Sequence, residues 1–267
     1  MLFHALAGAI LCMPSPFLHA QTKDLQLQAG QKWLLRAQSS AYRHKLDSLI
    51  IYADSAGKLF RTQEQWEPYL HSQALLADGQ VGMGDILSGK QTCENAISLA
   101  QDQYLTQARP IANIYELMGF VLVYFGEMEL AWCYLEEALV LKKQYYPSAH
   151  LEIVSWYEKA GHYLYYTSQN REAFKGTIEA KNIALALLND PNTFAEERHH
   201  IQNRLLGELY INLSSFAAGL GKYAEAETYN DSSYWYRLAA DPVDSAGLAE
   251  NYNNKAIAHS QQEDWHS

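Results

Sequence analysis

Tyr115-Glu116-Leu117-Met118-Gly119, then Gly126-Glu127-Met128-Glu129-Leu130-Ala131, then Leu135-Glu136-Glu137-Ala138 is the stretch that decides the fold. Tyr115, Met118, Gly119 and Leu122 fall three and four residues apart, the spacing of one helix face. This predicts a first helix from Ile111 to Phe125. Gly126 suits the left-handed conformation in which helices end. A second helix is predicted from Met128 to Gln144, with Ala131, Leu135, Ala138 and Leu139 facing inward, and Pro147 ends the unit. Small residues at Gly119 and Ala131 allow the two helices to cross closely, where an added side chain would cost ~1–3 kcal/mol of overpacking.

Sliding the chain along itself by 42 residues repeats this unit. Gly119 falls on Ala77 and Gly161, Ala131 on Gly89 and Ala173, and Ala138 on Ala96 and Ala180. Ser214 and Ala256, Tyr210 and Tyr252, and Tyr223 and Trp265 are again 42 apart. A fixed period of this size marks stacked units that bury their apolar faces only against neighbours. Full units are expected at about Tyr69–Tyr104, Ile111–Tyr146, Glu152–Leu188 and Glu208–Leu238. Residues 21–64 read as a degenerate first repeat, with a helix from Leu46 to Leu59, and residues 65–267 as the array proper. Ala173 and Ala226 are 53 apart, so 11 residues enter between the fourth and fifth units. Eleven residues make about three helical turns, which predicts one long helix from Phe194 to Ala218 that keeps its apolar stripe in phase. The last unit begins at Ala246 and stops at Ser267, leaving Tyr252, Ala256 and Ile257 uncovered, as in a fragment of something longer.

The quoted stretch, and Gly219-Leu220-Gly221-Lys222-Tyr223-Ala224-Glu225-Ala226, resemble the tetratricopeptide repeat, in one register from about Gln65 onward. The resemblance implies an all-α fold: a right-handed superhelical solenoid of antiparallel helix pairs, here about five repeats plus a truncated one. It also implies that first helices line a concave groove. Their residues off the packing stripe are Asn113, Glu116, Phe120 and Tyr124 in one unit, and Glu158, His162, Tyr165 and Tyr166 in the next. Aromatic rings with carboxylates suit a protein or peptide ligand bearing apolar and basic groups. Repeats that clamp acidic chaperone tails carry Lys and Asn in this groove, so Glu116 and Glu158 argue against that ligand. The period, with Tyr145-Tyr146-Pro147-Ser148-Ala149-His150 joining units, is similar to arrays that precede CHAT-type peptidase domains. Those peptidases use a His–Cys dyad, which no segment here matches. Arrays ahead of sensor kinases are a second context for such repeats.

The composition, 48% hydrophobic and 12% aromatic, is too apolar for a disordered chain. A formal net charge of −10, with no basic run longer than Lys142-Lys143, excludes a phosphate-neutralising nucleic-acid surface. Ala5–Met13 form a short apolar core broken by Pro14 and Pro16, and Leu18-His19-Ala20 offers a cleavage point before Gln21. Residues 1–20 thus read as an export signal, too short for a lasting membrane span, although no Lys or Arg precedes the core. The expected location is periplasmic or extracellular if the signal is genuine, cytoplasmic otherwise. Ala9-Ile10-Leu11 before Cys12 lacks the small residue of a lipoprotein signal. Cys93 and Cys133 fall in second helices, where both are expected as buried thiols.

Two motifs dissolve on inspection. Gly84-Asp85-Ile86-Leu87-Ser88-Gly89-Lys90 has the spacing of a phosphate-binding loop, but Gln91 stands where Ser or Thr must hold magnesium. Glu196-Glu197-Arg198-His199-His200 gathers imidazoles, but adjacent histidines project about 100° apart on a helix, which predicts a solvated face rather than a metal site. No cofactor is expected. An enzyme that uses Glu116, Glu158 and His162 as acid–base groups is the alternative to a non-enzymatic scaffold.

Overall fold

A computed structural model describes the backbone of residues 16–263 and the side chains of residues 23–256. The apolar core of the expected export signal and the last four residues of the unit expected at the C-terminal end lie outside the described residues. Among the described residues there is helix and turn but no strand. The helices are α1 (Pro16–Tyr42), α2 (Leu46–Thr62), α3 (Trp66–Gly82), α4 (Ile86–Asp102), α5 (Arg109–Tyr124), α6 (Met128–Tyr145), α7 (Leu151–Tyr166), α8 (Asn170–Asn189), α9 (Ala195–His200), α10 (Leu206–Gly219), α11 (Tyr223–Leu238) and α12 (Ser245–Glu263).

One turn, repeated seven times, folds these helices into hairpins. His44, Glu64, Gly84, Tyr104, Gly126, Ser168 and Gly221 all have positive φ. In each case the next residue's N–H reaches the carbonyl five residues back, as from Glu127 to Leu122 (3.1 Å) or Lys222 to Ala217 (2.9 Å). This is the Schellman arrangement, which satisfies carbonyls left over at a helix end. Gly126, at φ +74°, adopts it without Cβ strain. His44, Glu64, Tyr104 and Ser168 adopt it with a side chain, at about 1–2 kcal/mol each, offset by the hairpin packing they permit.

The stack curves with its first helices inside. α3 packs on α5, α5 on α7, α7 and α8 on α10, and α10 on α12, whereas α4, α6 and α8 do not pack on one another. The hairpins nest through small residues. A Cβ on Gly119 would stand 2.7 Å from Leu135 Cγ and 2.9 Å from the Ala131 carbonyl, so α5 and α6 meet backbone to backbone. Ala131, Leu135 and Ala138 are fully buried opposite it. The Trp156 indole then ties α7 to α6, donating to the Leu135 carbonyl at 2.7 Å.

The long helix expected over 194–218 runs from Ala195 to Gly219, but it is not regular. Ile201–Leu205 form a π turn between α9 and α10. Ile201, Leu205 and Leu206, in and next to this turn, are all buried in the core. Cys93 is buried as expected; Cys133 is exposed, a correction to the reading that placed it in the core. Gly84 makes the α3–α4 turn, and Asp85 caps α4 by accepting from the Ser88 N–H at 3.1 Å, so the loop resembling a phosphate cradle is a hairpin connection.

Candidate functional site: the concave groove

The groove wall carries a ladder of aromatic rings. Phe120 on α5 meets Tyr124 edge-on at 5.3 Å between centroids and His162 on α7 at 5.5 Å. Tyr165 lies against Tyr166 at 5.9 Å and Phe216 of α10 at 5.5 Å. Tyr124 and Tyr166 are more than half exposed, 55% and 58%, and burial first, with Tyr166 nearby, raises the Tyr124 phenol. These five residues of the expected site therefore share one surface across α5 and α7. Burial lowers the His162 pKa against the pull of Glu158, which keeps its imidazole neutral at physiological pH.

The remaining members divide. Glu158 is partly exposed and makes no ion pair among the described residues. Glu116 is only 3% exposed, and its carboxylate is held from three sides. Lys142 Nζ lies 2.7 Å from Oε2, while Lys159 Nζ (3.1 Å) and the donating Ser155 hydroxyl (2.6 Å) share Oε1. Lys142 also pairs with Glu152 at 2.6 Å, and Asn113 donates to Glu152 Oε1 at 3.3 Å. Glu116 and Asn113 thus belong to a buried ion network joining α5, α6 and α7, not to the open wall where the sequence reading put them. Burial opposes charge on Lys142, but Glu116 and Glu152 together outweigh it and raise its pKa. Burial likewise works against the Glu152 carboxylate, and Lys142 overcomes it, leaving the pKa below the ordinary glutamate value.

Position in the repeat explains what Lys142 does. It occupies the slot filled by Ala100 in the preceding unit and Ala184 in the following one, both fully buried. Beyond the 11-residue insertion, the same slot holds Arg237, 3% exposed. Each cation reaches ten residues ahead to the next first helix. Lys142 donates to the Glu152 carbonyl at 3.1 Å. Arg237 donates to the Gly247 carbonyl and to Asn251 Oδ1, and pairs with Glu250 at 2.9 Å. A long cation in a small-residue slot is the sequence signal that would have revealed both latches.

Several groove residues escaped the sequence reading. Asp78 on α3 and Glu208 on α10 flank Glu158 closely enough for its charge to act on both. Enclosure by the groove walls raises the Asp78 carboxyl despite nearby Lys159, although the side chain is open to water. Enclosure also raises Glu208 to about 7, against the opposing pull of Arg204 at 2.6 Å. With Lys142, Lys159 and Arg204 committed to Glu116, Glu152 and Glu208, the groove retains Asp78 and Glu158 without a cation. Among the described residues no group of three His, Cys, Asp or Glu is arranged to hold a metal. No helix among them is long and apolar enough to cross a membrane.

The histidine-rich segment departs from its expected solvated face. His200 packs against Tyr42 of α1, ring centroids 5.8 Å apart, and α9 touches α1 there while Ala195 and Glu196 stay exposed. Nothing local in the sequence marks that contact, because its two halves lie at opposite ends of the array.

No protein-family model matches the chain, and no curated protein does. Solved structures do. One is BtubC (BKLC) from P. vanneervenii, at 15% identity and a TM-score of 0.54, covering 81% of this chain and 91% of that one. Another is TTC0263, a thermophilic TPR protein in Thermus thermophilus, at 13% identity and a TM-score of 0.55, covering 85% of this chain and 100% of that one. At such identities the likeness establishes the fold alone: a right-handed solenoid of antiparallel helix pairs, of the tetratricopeptide-repeat type.

Proposed function

We propose that this protein is a non-enzymatic binding scaffold whose groove holds an extended protein segment bearing aromatic or aliphatic side chains beside lysine or arginine. The observation that carries the reading is the aromatic ladder of Phe120, Tyr124, His162 and Tyr166, its two tyrosines exposed and its other two rings half-buried, running beside Asp78 and Glu158, two carboxylates that make no ion pair among the described residues. Aromatic rings supply contact area at small entropic cost, and unneutralised carboxylates select cationic partners and repel acidic ones. The ion network behind them holds α5, α6 and α7 in fixed relation, so the wall is organised before ligand arrives. An acid–base role for Glu116 is disfavoured by the same network, since Lys142 and Lys159 occupy its carboxylate. The proposal includes export, with residues 1–20 acting as a leader. It also includes the regulatory context suggested by the likeness to repeats ahead of CHAT-type peptidases.

The test is fluorescence anisotropy with labelled peptides of one length, half combining Lys or Arg with aromatic residues and half carrying Glu in place of the cations. The basic set should bind and the acidic set should not. Glu158→Lys or Tyr124→Ala should weaken binding roughly tenfold or more while leaving the melting temperature in place. Equal binding of both sets, or affinity untouched by Glu158→Lys, would move the site elsewhere.

A further inference from the structure

The residues inserted before α9 form a built element, not slack. The Arg198 guanidinium donates to three carbonyls of the turn, Leu188 (2.9 Å), Asp190 (3.1 Å) and Thr193 (3.0 Å). The Thr193 hydroxyl donates to the Leu187 carbonyl at 2.6 Å, and Asp190 accepts from the Asn192 N–H at 2.9 Å. So fastened, the turn aims α9 across the groove mouth to the end of α1. There the Tyr42 ring meets His200, and the Tyr42 phenol is raised to about 12 by burial first and then by Glu197, Glu152 and Glu196. His44, in the next turn, lies close enough to Arg204 and Asp244 to feel both charges.

We propose that α9 is a clasp: its contact with Tyr42 closes the superhelix on itself and controls entry to the groove. Three features support this. Other units lack the insertion and have no equivalent cross-groove contact among the described residues. The contact surface is small and partly polar, one ring against another, whereas each hairpin is held by full helix faces; of the two, the clasp is the one that opens first. The π turn at Ile201–Leu205 follows it directly, a widened helical turn of the sort found where helices bend or serve a function. When shut, the clasp admits small molecules and a threaded extended chain. When open, it admits a folded domain or an internal loop. The inference concerns access and holds whatever ligand the groove takes.

The test needs no ligand. In full-length protein with Cys12→Ser and Cys133→Ser, leaving buried Cys93, spin labels on Leu35→Cys of α1 and Glu196→Cys of α9 report the gap across the mouth. One narrow, short distance is expected, and Tyr42→Ala with His200→Ala should lengthen and broaden it. In a second chain Glu158→Cys places a thiol in the groove, to be timed against a small maleimide and one bearing a bulky polyethylene glycol chain. Opening the clasp should speed the bulky reagent roughly tenfold and leave the small one unchanged. A broad or long distance in the protein with Tyr42 and His200 intact overturns the proposal, whatever the variants do. Bulky-reagent rates that ignore the substitutions overturn it equally.

Discussion

Replacing Lys142 by Met keeps the length of its stem and removes only the charge. Lys142 is fully buried, with Glu116 at 2.7 Å and Glu152 at 2.6 Å. Removing one partner of a buried pair typically costs about 3–5 kcal/mol, because the other charge is left uncompensated. Here two circumstances soften the loss. Glu116 keeps Lys159 at 3.1 Å, and Glu152, 27% exposed at its side chain, can turn toward water. The expected cost is therefore at the low end, about 3 kcal/mol, or a fall of roughly 5–10 °C in melting temperature for a chain of this size. Glu116→Gln alone strands both Lys142 and Lys159, so the double variant Lys142→Met/Glu116→Gln, which no longer has Lys142 to strand, should lose less than the sum of the two single losses by about 1–2 kcal/mol. Urea unfolding of the wild type, both single variants and the double variant closes the cycle. A Lys142→Met variant within about 0.5 kcal/mol of wild type, or single losses that simply add in the double variant, would refute the reading of Lys142 as a latch.

Arg237→Met should release α12 while leaving the centre of the array alone, since Arg237 is what grips Gly247, Glu250 and Asn251; hydrogen exchange should rise over residues 245–256 and stay slow in α5. His200, lowered by burial to about 4 from 6.5, stays neutral in the fold while the unfolded chain takes up a proton, so its contribution to stability is intact above pH 6.5 and shrinks as pH falls toward 4. The ceiling is about 3 kcal/mol. Glu208 works in the opposite sense as pH falls from 7, so the comparison is wild type against His200→Gln, and wild type should lose more stability between pH 7 and 5; equal losses would contradict the burial of this imidazole. In folded Cys12→Ser protein one thiol, Cys133, should react rapidly with a disulfide reagent, and Cys93, buried and raised to about 12, only on unfolding; two fast thiols would overturn that assignment.

How much of this was legible depended on how local each cause is. The hairpins were readable because close helix crossings demand small side chains, and Gly119, Ala131 and Ala138 recur with their counterparts at a fixed interval. Only part of the turn pattern was readable, because His44, Glu64, Tyr104 and Ser168 adopt the left-handed conformation that glycine would have advertised. The first four turns follow one another every 20 residues, which makes 40 for a helix pair, slightly short of the 42-residue period of the later units. Phe120 and Tyr124 are one helical turn apart, as are His162 and Tyr166, so each pair stands on one helix face by spacing alone. Glu116 shares that face but is claimed by a lysine 26 residues away on another helix, which periodicity within α5 cannot show. The meeting of Tyr42 with His200 is less visible still, since it follows from the curvature of the whole stack.

The central claim is that hairpins nest through their least bulky residues, and two glycines at the same repeat position test it by sign. Helix propensity alone makes Gly→Ala stabilising by about 1 kcal/mol in a helix interior. At Gly161 the new methyl would find ordinary contacts, 3.4 Å to the Thr177 hydroxyl and 3.5 Å to Phe216, so Gly161→Ala should melt at or above the wild-type temperature. At Gly119 it would meet the Ala131 carbonyl at 2.9 Å, backbone that cannot step aside, so Gly119→Ala should melt several degrees lower. Melting curves in which both substitutions raise the midpoint would contradict the account.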